Sequence, residues 1–339
     1  MSPTAHITLY SSPDDGIVAL PGGRGADWAV IALDLARFES AGEGLHVLPM
    51  SDLDRVQQAL DTLYANAHRL GITVTATHQT FIGDIGRSIA ARLDDSWTVE
   101  TGNCALSPSD SRSRLNFLWD SLGGSLSYVM QSYAEQVSAV AFLCSETGLE
   151  LAVLRRPWDG QIVVGALAPE AQFASLGAVA PVSVVAPDVA SVLKKVTEAL
   201  LPSYEHALAQ AHFRLLGGVL DQLRAARTTG ALPRLGALNE DLCRHWYGLD
   251  HHLRGLYDPL PEPLGGLLRR ADVALSGGSA QDEEGAVQLL EHWLQQGTRL
   301  VDLVQSLDAD FTAPSAILPG SASLPPGPPR QGRRPGMSR

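Results

Sequence analysis

Gly83-Asp84-Ile85-Gly86-Arg87-Ser88 is the stretch of this chain closest to a ligand loop, with glycines beside a cation and a hydroxyl that could hold an anion. A phosphate loop of the GxxxxGK[ST] kind wraps backbone N–H groups round its ligand. Gly86-Arg87-Ser88 matches only the end of that pattern. Phe81 stands where the first glycine belongs, arginine replaces lysine, and Asp84 puts a carboxylate where the anion should sit. What survives is a single anion held by Arg87 and Ser88 at a helix N-terminus; a plain structural turn is the stronger expectation.

The other motifs fare no better. PGGRGAD (21–27) has the flavour of a dinucleotide fingerprint, which must follow a strand and open a helix. It leads into WAVIALDL, which reads as a strand, so a hairpin connection is expected. GGSLS (123–127) and GGSAQ (277–281) both miss the closing glycine of a nucleophile elbow. In LCRHWYGLDHHLRGLYD (242–258), Cys243 and His245 lie two apart and His251 and His252 are adjacent, so on helices they diverge. Metal ligands must converge on one point. The stretch reads as an exposed helix-loop-helix junction, with no metal site and no cofactor implied. If a site is assembled from residues distant in sequence, His78, Arg87, Asp120 and Glu135 are the first candidates, as polar residues beside apolar elements.

Composition narrows the class. The chain has 339 residues, 45% hydrophobic and 18% charged, enough for more than one average domain and a sizeable core. The formal charge of −12 divides as −10 over residues 1–200, −6 over 201–310 and +4 over 311–339. The body therefore repels phosphate backbones, which argues against nucleic-acid binding by it. Arg330, Arg333, Arg334 and Arg339 carry the charge of the tail, which reads as a solubilising end, or else as an arm making weak contact with an anionic partner. Three scattered cysteines without a CxxC fit a reducing compartment. The first residues, MSPTAHITLYSS, show no secretory pattern, and no stretch is long enough to span a bilayer as a plain helix. A cytoplasmic protein is expected.

These residues are positioned by two kinds of element. Short strands at 7–10, 17–20, 28–38 and 45–49 precede an amphipathic helix, capped by Ser51, in which Leu53, Val56, Leu60, Leu63 and Ala67 share a stripe. ITVTATHQTF is a strand by its β-branched content. The glycine turn then precedes a helix near 86–93, and LNFLWDSL and SLSYVMQSYAEQ read as helical. A second strand group follows: VSAVAFLCS, LELAVLRR and QIVVGALA, with Asp159-Gly160 as hairpin signal, then PVSVVAP and a helix capped by Asp188. From Pro202, a suitable helix start, the pattern is helical only, near 203–227, 236–247, 263–275 and 284–308. After Phe311, proline, glycine and serine dominate, as in a disordered tail.

The fold expected is α+β. Mostly antiparallel strands flanked by helices fill 1–200, divisible near 100. A helical region at 201–310 and a tail at 311–339 complete the chain. Two functions are carried forward: a non-catalytic interaction protein that meets a partner or itself through the helical region, and an enzyme or small-ligand-binding protein with a dispersed site.

Overall fold

The computed structural model describes residues 5–104, 111–121, 123–176, 180–229, 235–257, 259–262, 264–268 and 283–311. The chain begins with β1 (His6–Ser12) and β2 (Gly16–Gly22), a hairpin, followed by α1 (Ala26–Leu35). Next come β3 (Glu39–Gly42), β4 (Leu45–Leu48), α2 (Leu53–Leu70) and β5 (Thr73–Ala76). The sheet order is β3-β4-β2-β1-β5; its neighbours run antiparallel except for β1 and β5.

The expected strand at 28–38 is therefore a helix for most of its length. An unbroken apolar run fits either structure, and here Ala29, Ala32, Leu33 and Ala36 bury one helical face against the sheet. PGGRGAD accordingly joins a strand to a helix, and is no hairpin connection; Gly25 adopts φ 82° at the helix start. α2 forms as expected, though Asp52 rather than Ser51 caps it, accepting from the N–H groups of Asp54 and Arg55.

The second sheet is preceded by α3 (Ile82–Ala90) and built from β6 (Trp97–Asn103), β7 (Leu118–Trp119), β8 (Ala139–Ser145), β9 (Glu150–Arg155), β10 (Ile162–Leu167) and β11 (Val184–Ala186). Its order is β11-β10-β9-β8-β6, with β7 beside β10, and every pairing is antiparallel. LNFLWDSL, expected as a helix, instead supplies the end of α4 (Ser111–Leu115) and then β7. α5 (Ser125–Tyr133) and α6 (Ala171–Ser175) complete this part.

Both faces of the second sheet are covered. Ala139, Ala141 and Leu143 of β8 enter one core with Ile82, Ile85 and Ile89 of α3. Val140 and Phe142, pointing the other way, pack with Leu126 and Val129 of α5. The first core also takes Val18, Leu20 and Leu45 from the first sheet, so the two sheets share it.

α7 (Val189–Lys195) passes through a π-helical turn, Val196–Leu200, straight into α8 (Leu201–Thr229). No helix starts at Pro202. The wider turn just before it is where a proline without an N–H is tolerated inside a helix. Tyr204, Ala207, Leu208 and Ala211 of α8 lie in the sheet core, whereas Leu216, Val219, Leu220 and Leu223 belong to a separate helical core. α9 (Leu235–Leu256) and α10 (Glu283–Phe311) build that second core, and Trp246 and Trp293 meet edge to face at its centre, 5.4 Å apart. A short helical segment at 264–268 adds Leu264, Leu267 and Leu268. The expected junction around Gly248 is thus one unbroken helix. The molecule is α+β with a helical C-terminal region, and no helix among the described residues is long and apolar enough to cross a membrane. Residues 312–339, with Arg330, Arg333, Arg334 and Arg339, lie outside the described residues.

Candidate functional site

Gly83 and Gly86 lie inside α3, so the stretch that resembled a ligand loop is the helix itself. A Cβ on Gly86 would come within 3.0 Å of both the Ala141 and Val99 side chains, and one on Gly83 within 2.5 Å of the Phe81 ring. The glycines let the helix lie close on β6 and β8. Arg87 is held by acids: Nε stands 2.9 Å from Asp14 and Nη2 2.6 Å from Asp15, with Asp84 as a third partner. Ser12 also donates to the buried Asp84, at 2.8 Å. An anion arriving at Arg87 would meet three carboxylates, and Ser88 is exposed beside it.

The remaining suspects are dispersed. Asp120 is a helix cap: its carboxylate accepts from the N–H of Ser127 at 2.9 Å, from the N–H of Ser183 at 3.0 Å and from the Ser183 hydroxyl at 3.0 Å. A Cβ on Gly124 would collide with it at 2.1 Å. Glu135 and His78 are exposed. None of the four lines the cleft described next.

That cleft has a volume of about 510 Å³ and lies where five segments meet, Leu20 of β2 among them. β1 brings Tyr10, and the approach to α3 brings Gln79, Thr80 and Phe81. The entry to β8 brings Gln136 and Ser138, and the β9–β10 turn brings Arg155 to Gly160. The turn is the expected Asp-Gly hairpin: Gly160 has φ 69°, and Asp159 accepts from the N–H of Gln161 at 3.1 Å. Arg156 is neutralised there, its guanidinium gripping Asp159 and donating to the Gln161 side chain at 2.8 Å while lying over the Trp158 ring.

Arg155 differs. Its Nη1 donates to the Gly160 carbonyl at 2.8 Å and its Nη2 to the Thr80 carbonyl at 3.3 Å. Its Nε is buried and has no acceptor among the described residues. No carboxylate of the described residues pairs with it. Burial pushes its pKa down, and only Tyr10 opposes the shift. The Thr80 contact also sets the guanidinium beside the start of α3, where the cap residue Phe81 offers no side-chain acceptor and the first-turn acid, Asp84, is paired with Arg87. The cleft thus combines an uncompensated cation with a helix N-terminus, inside a protein of net charge −12.

Arg155 does not stand out in the sequence, because it ends an apolar strand, LELAVLRR, and precedes an ordinary hairpin turn. The signal available was the Arg-Arg pair before a turn that holds a single acid. No family model matches this chain, and neither a curated protein nor a solved structure does.

Proposed function

We propose that this protein binds a small anionic ligand, a carboxylate or a phosphate, in the cleft at Arg155. The observation that carries the reading is the state of that guanidinium. Nη1 is committed to Gly160, while the Nε–Nη2 edge has one long bond to Thr80 and no other partner among the described residues. That edge is a planar fork matched to two anionic oxygens. Because Nε is shielded, the ligand would reach it by displacing the Thr80 contact. Tyr10, Gln79, Gln136 and Ser138 offer neutral donors and acceptors for the rest of the molecule. The protein acts in this reading as a ligand-binding module in a reducing, cytoplasmic setting.

The test is calorimetric titration with inorganic phosphate and with simple mono- and dicarboxylates, against the parent protein and Arg155→Gln. Binding weakened about tenfold or more by the substitution supports the proposal, since a lost charged hydrogen bond costs about 1.5–3 kcal/mol. Equal binding by both forms overturns it.

A protein-interaction role is favoured by a different observation. Trp28, Ile31 and Leu35 form one exposed apolar row on α1 at helical spacing. The helical region was the expected contact surface, but its tryptophans face inward, and among its described large apolar side chains Tyr247 is the exposed one. A partner or second copy would be held through α1 in this reading. Trp28→Glu should then lower the mass of the protein in solution or abolish capture of the partner. Contact of the tail arginines with an acidic partner is a further proposal, marked by dissociation as salt rises.

A further inference from the structure

α8 and α9 pack as an antiparallel pair whose facing polar side chains form a ladder. Glu205 meets His252, and two turns along, His212 meets His245, their Nδ1 atoms 3.3 Å apart. The His212 ring also stacks on His252, with centroids 5.6 Å apart and planes 21° from parallel, and receives the edge of Phe173 from α6 at 5.0 Å. Between the rungs sits Gly248, where a Cβ would run into the His212 ring at 2.3 Å. His245 and His252 are buried.

This arrangement tolerates few protons. An Nδ1···Nδ1 contact needs one nitrogen to donate and the other to accept, so at least one of the two imidazoles must be neutral. Protonating both would aim two cations at each other in a dry interface. His252 lies against the Glu205 carboxylate; among the described residues no acid touches His212. The other charged groups facing the ladder are few. Glu170, at the start of α6, and Asp241 favour a charge on His245, and Arg244 opposes it. On His212, His252, His245 and His251 all act against a charge. His206 on α8 is engaged with Gln210.

We infer that the histidine ladder is an acid-sensitive latch, which releases α9 and the helical core it carries from α8 as the pH falls below neutrality, while the two sheets stay folded. Release lets each imidazole take up a proton in water and uncovers the apolar face of α8 together with Trp246 and Trp293. The stability of His212 in its neutral state, with a pKa driven down to about 3 by burial and its histidine neighbours, agrees with this direction. The inference is independent of the cleft and of any ligand.

Amide hydrogen exchange on the full chain tests it, at about pH 7.5 and about pH 5 with rates corrected for intrinsic exchange. The expected result is a loss of protection of about tenfold or more across 238–256 at the lower pH, with β8, β9 and β10 unchanged. His212→Asn, which cannot be charged, should keep that protection. Should His212→Asn fail to fold at the higher pH, His245→Asn removes the same nitrogen pair from the other side and is read in its place. Unchanged protection in the parent, loss together with the strands, or equal loss in the variant that folds each overturns the latch. If neither variant folds, the parent profile alone decides.

Discussion

The Tyr204 hydroxyl, fully buried, donates to the Leu167 carbonyl at 2.5 Å and lies 3.4 Å from the N–H of Glu150, so one side chain of α8 bonds to the ends of two strands. Its ring meets Trp119 edge to face at 6.0 Å. This places the first turns of the long helix inside the sheet core. Tyr204→Phe removes only the hydroxyl and should cost about 1 kcal/mol or somewhat more, because the Leu167 carbonyl is left buried. Tyr204→Ala should cost about 3–5 kcal/mol. Chemical denaturation measures both, and equal costs would show that the hydroxyl contributes most of the effect. A chain cut after Leu200 loses this side chain as well and should melt without cooperativity.

Trp293 packs on Trp246 in the helical core and is almost wholly buried. Trp293→Ala should therefore cost about 3–5 kcal/mol through the cavity it leaves. Mass in solution should stay unchanged, as sedimentation would register. A variant that melts normally but changes mass would mean that the side chain serves an interface between molecules.

Gly86→Ala tests the close approach of α3 to the sheet. The new methyl meets Ala141 and Val99 at 3.0 Å, and Ala141 belongs to β8, whose other face is packed against α5. Overpacking of this kind costs about 1–3 kcal/mol, which outweighs the gain of up to about 1 kcal/mol that alanine brings inside a helix. A stabilised variant would show that the helix can shift outward freely.

Stability should fall with acid through His212 and His245. Both have pKa values pushed below the ordinary 6.5, His212 to about 3, chiefly by burial. The unfolded chain therefore binds protons that the folded chain refuses. The contribution of His212 is complete above about 6.5 and is lost progressively as pH drops toward 3. Midpoints of thermal unfolding across that range should decline, and the decline should be shallower in His212→Asn. A flat profile in the parent would show that the imidazoles are solvated.

Asp120→Ala should destabilise by about 1–3 kcal/mol, since it strips the start of α5 and Ser183 of their acceptor. It should leave anion binding at Arg155 intact. A binding loss at unchanged stability would return Asp120 to the list of functional groups.

Much of the architecture was legible because it is local. The stripe of α2, the Asp159-Gly160 turn, the cap at Asp188 and the apolar periodicity of α10 are each set by neighbours a few residues away. So was the class, α+β followed by helices. The reading failed where an apolar run suits either period, as in α1, or where a pair of residues becomes a strand only by finding β10, as Leu118 and Trp119 do. The intrinsic preferences of Pro202 and Gly248 predict breaks at both. Packing overrode both, the first through a π turn and the second because only glycine clears His212.

The sites follow the same division. The sequence by itself determined the acidic body, the basic tail and the strand-then-helix order. Only tertiary structure decided which charges are compensated. Arg87 and Arg155 each follow apolar neighbours and look alike in the chain, yet folding brings three carboxylates to the first and two carbonyls to the second. Likewise His212 and His245, thirty-three residues apart, become partners only when α9 folds back on α8. Charge and proton affinity depend on what lies within a few ångströms in space, and for these residues those neighbours come from distant parts of the chain.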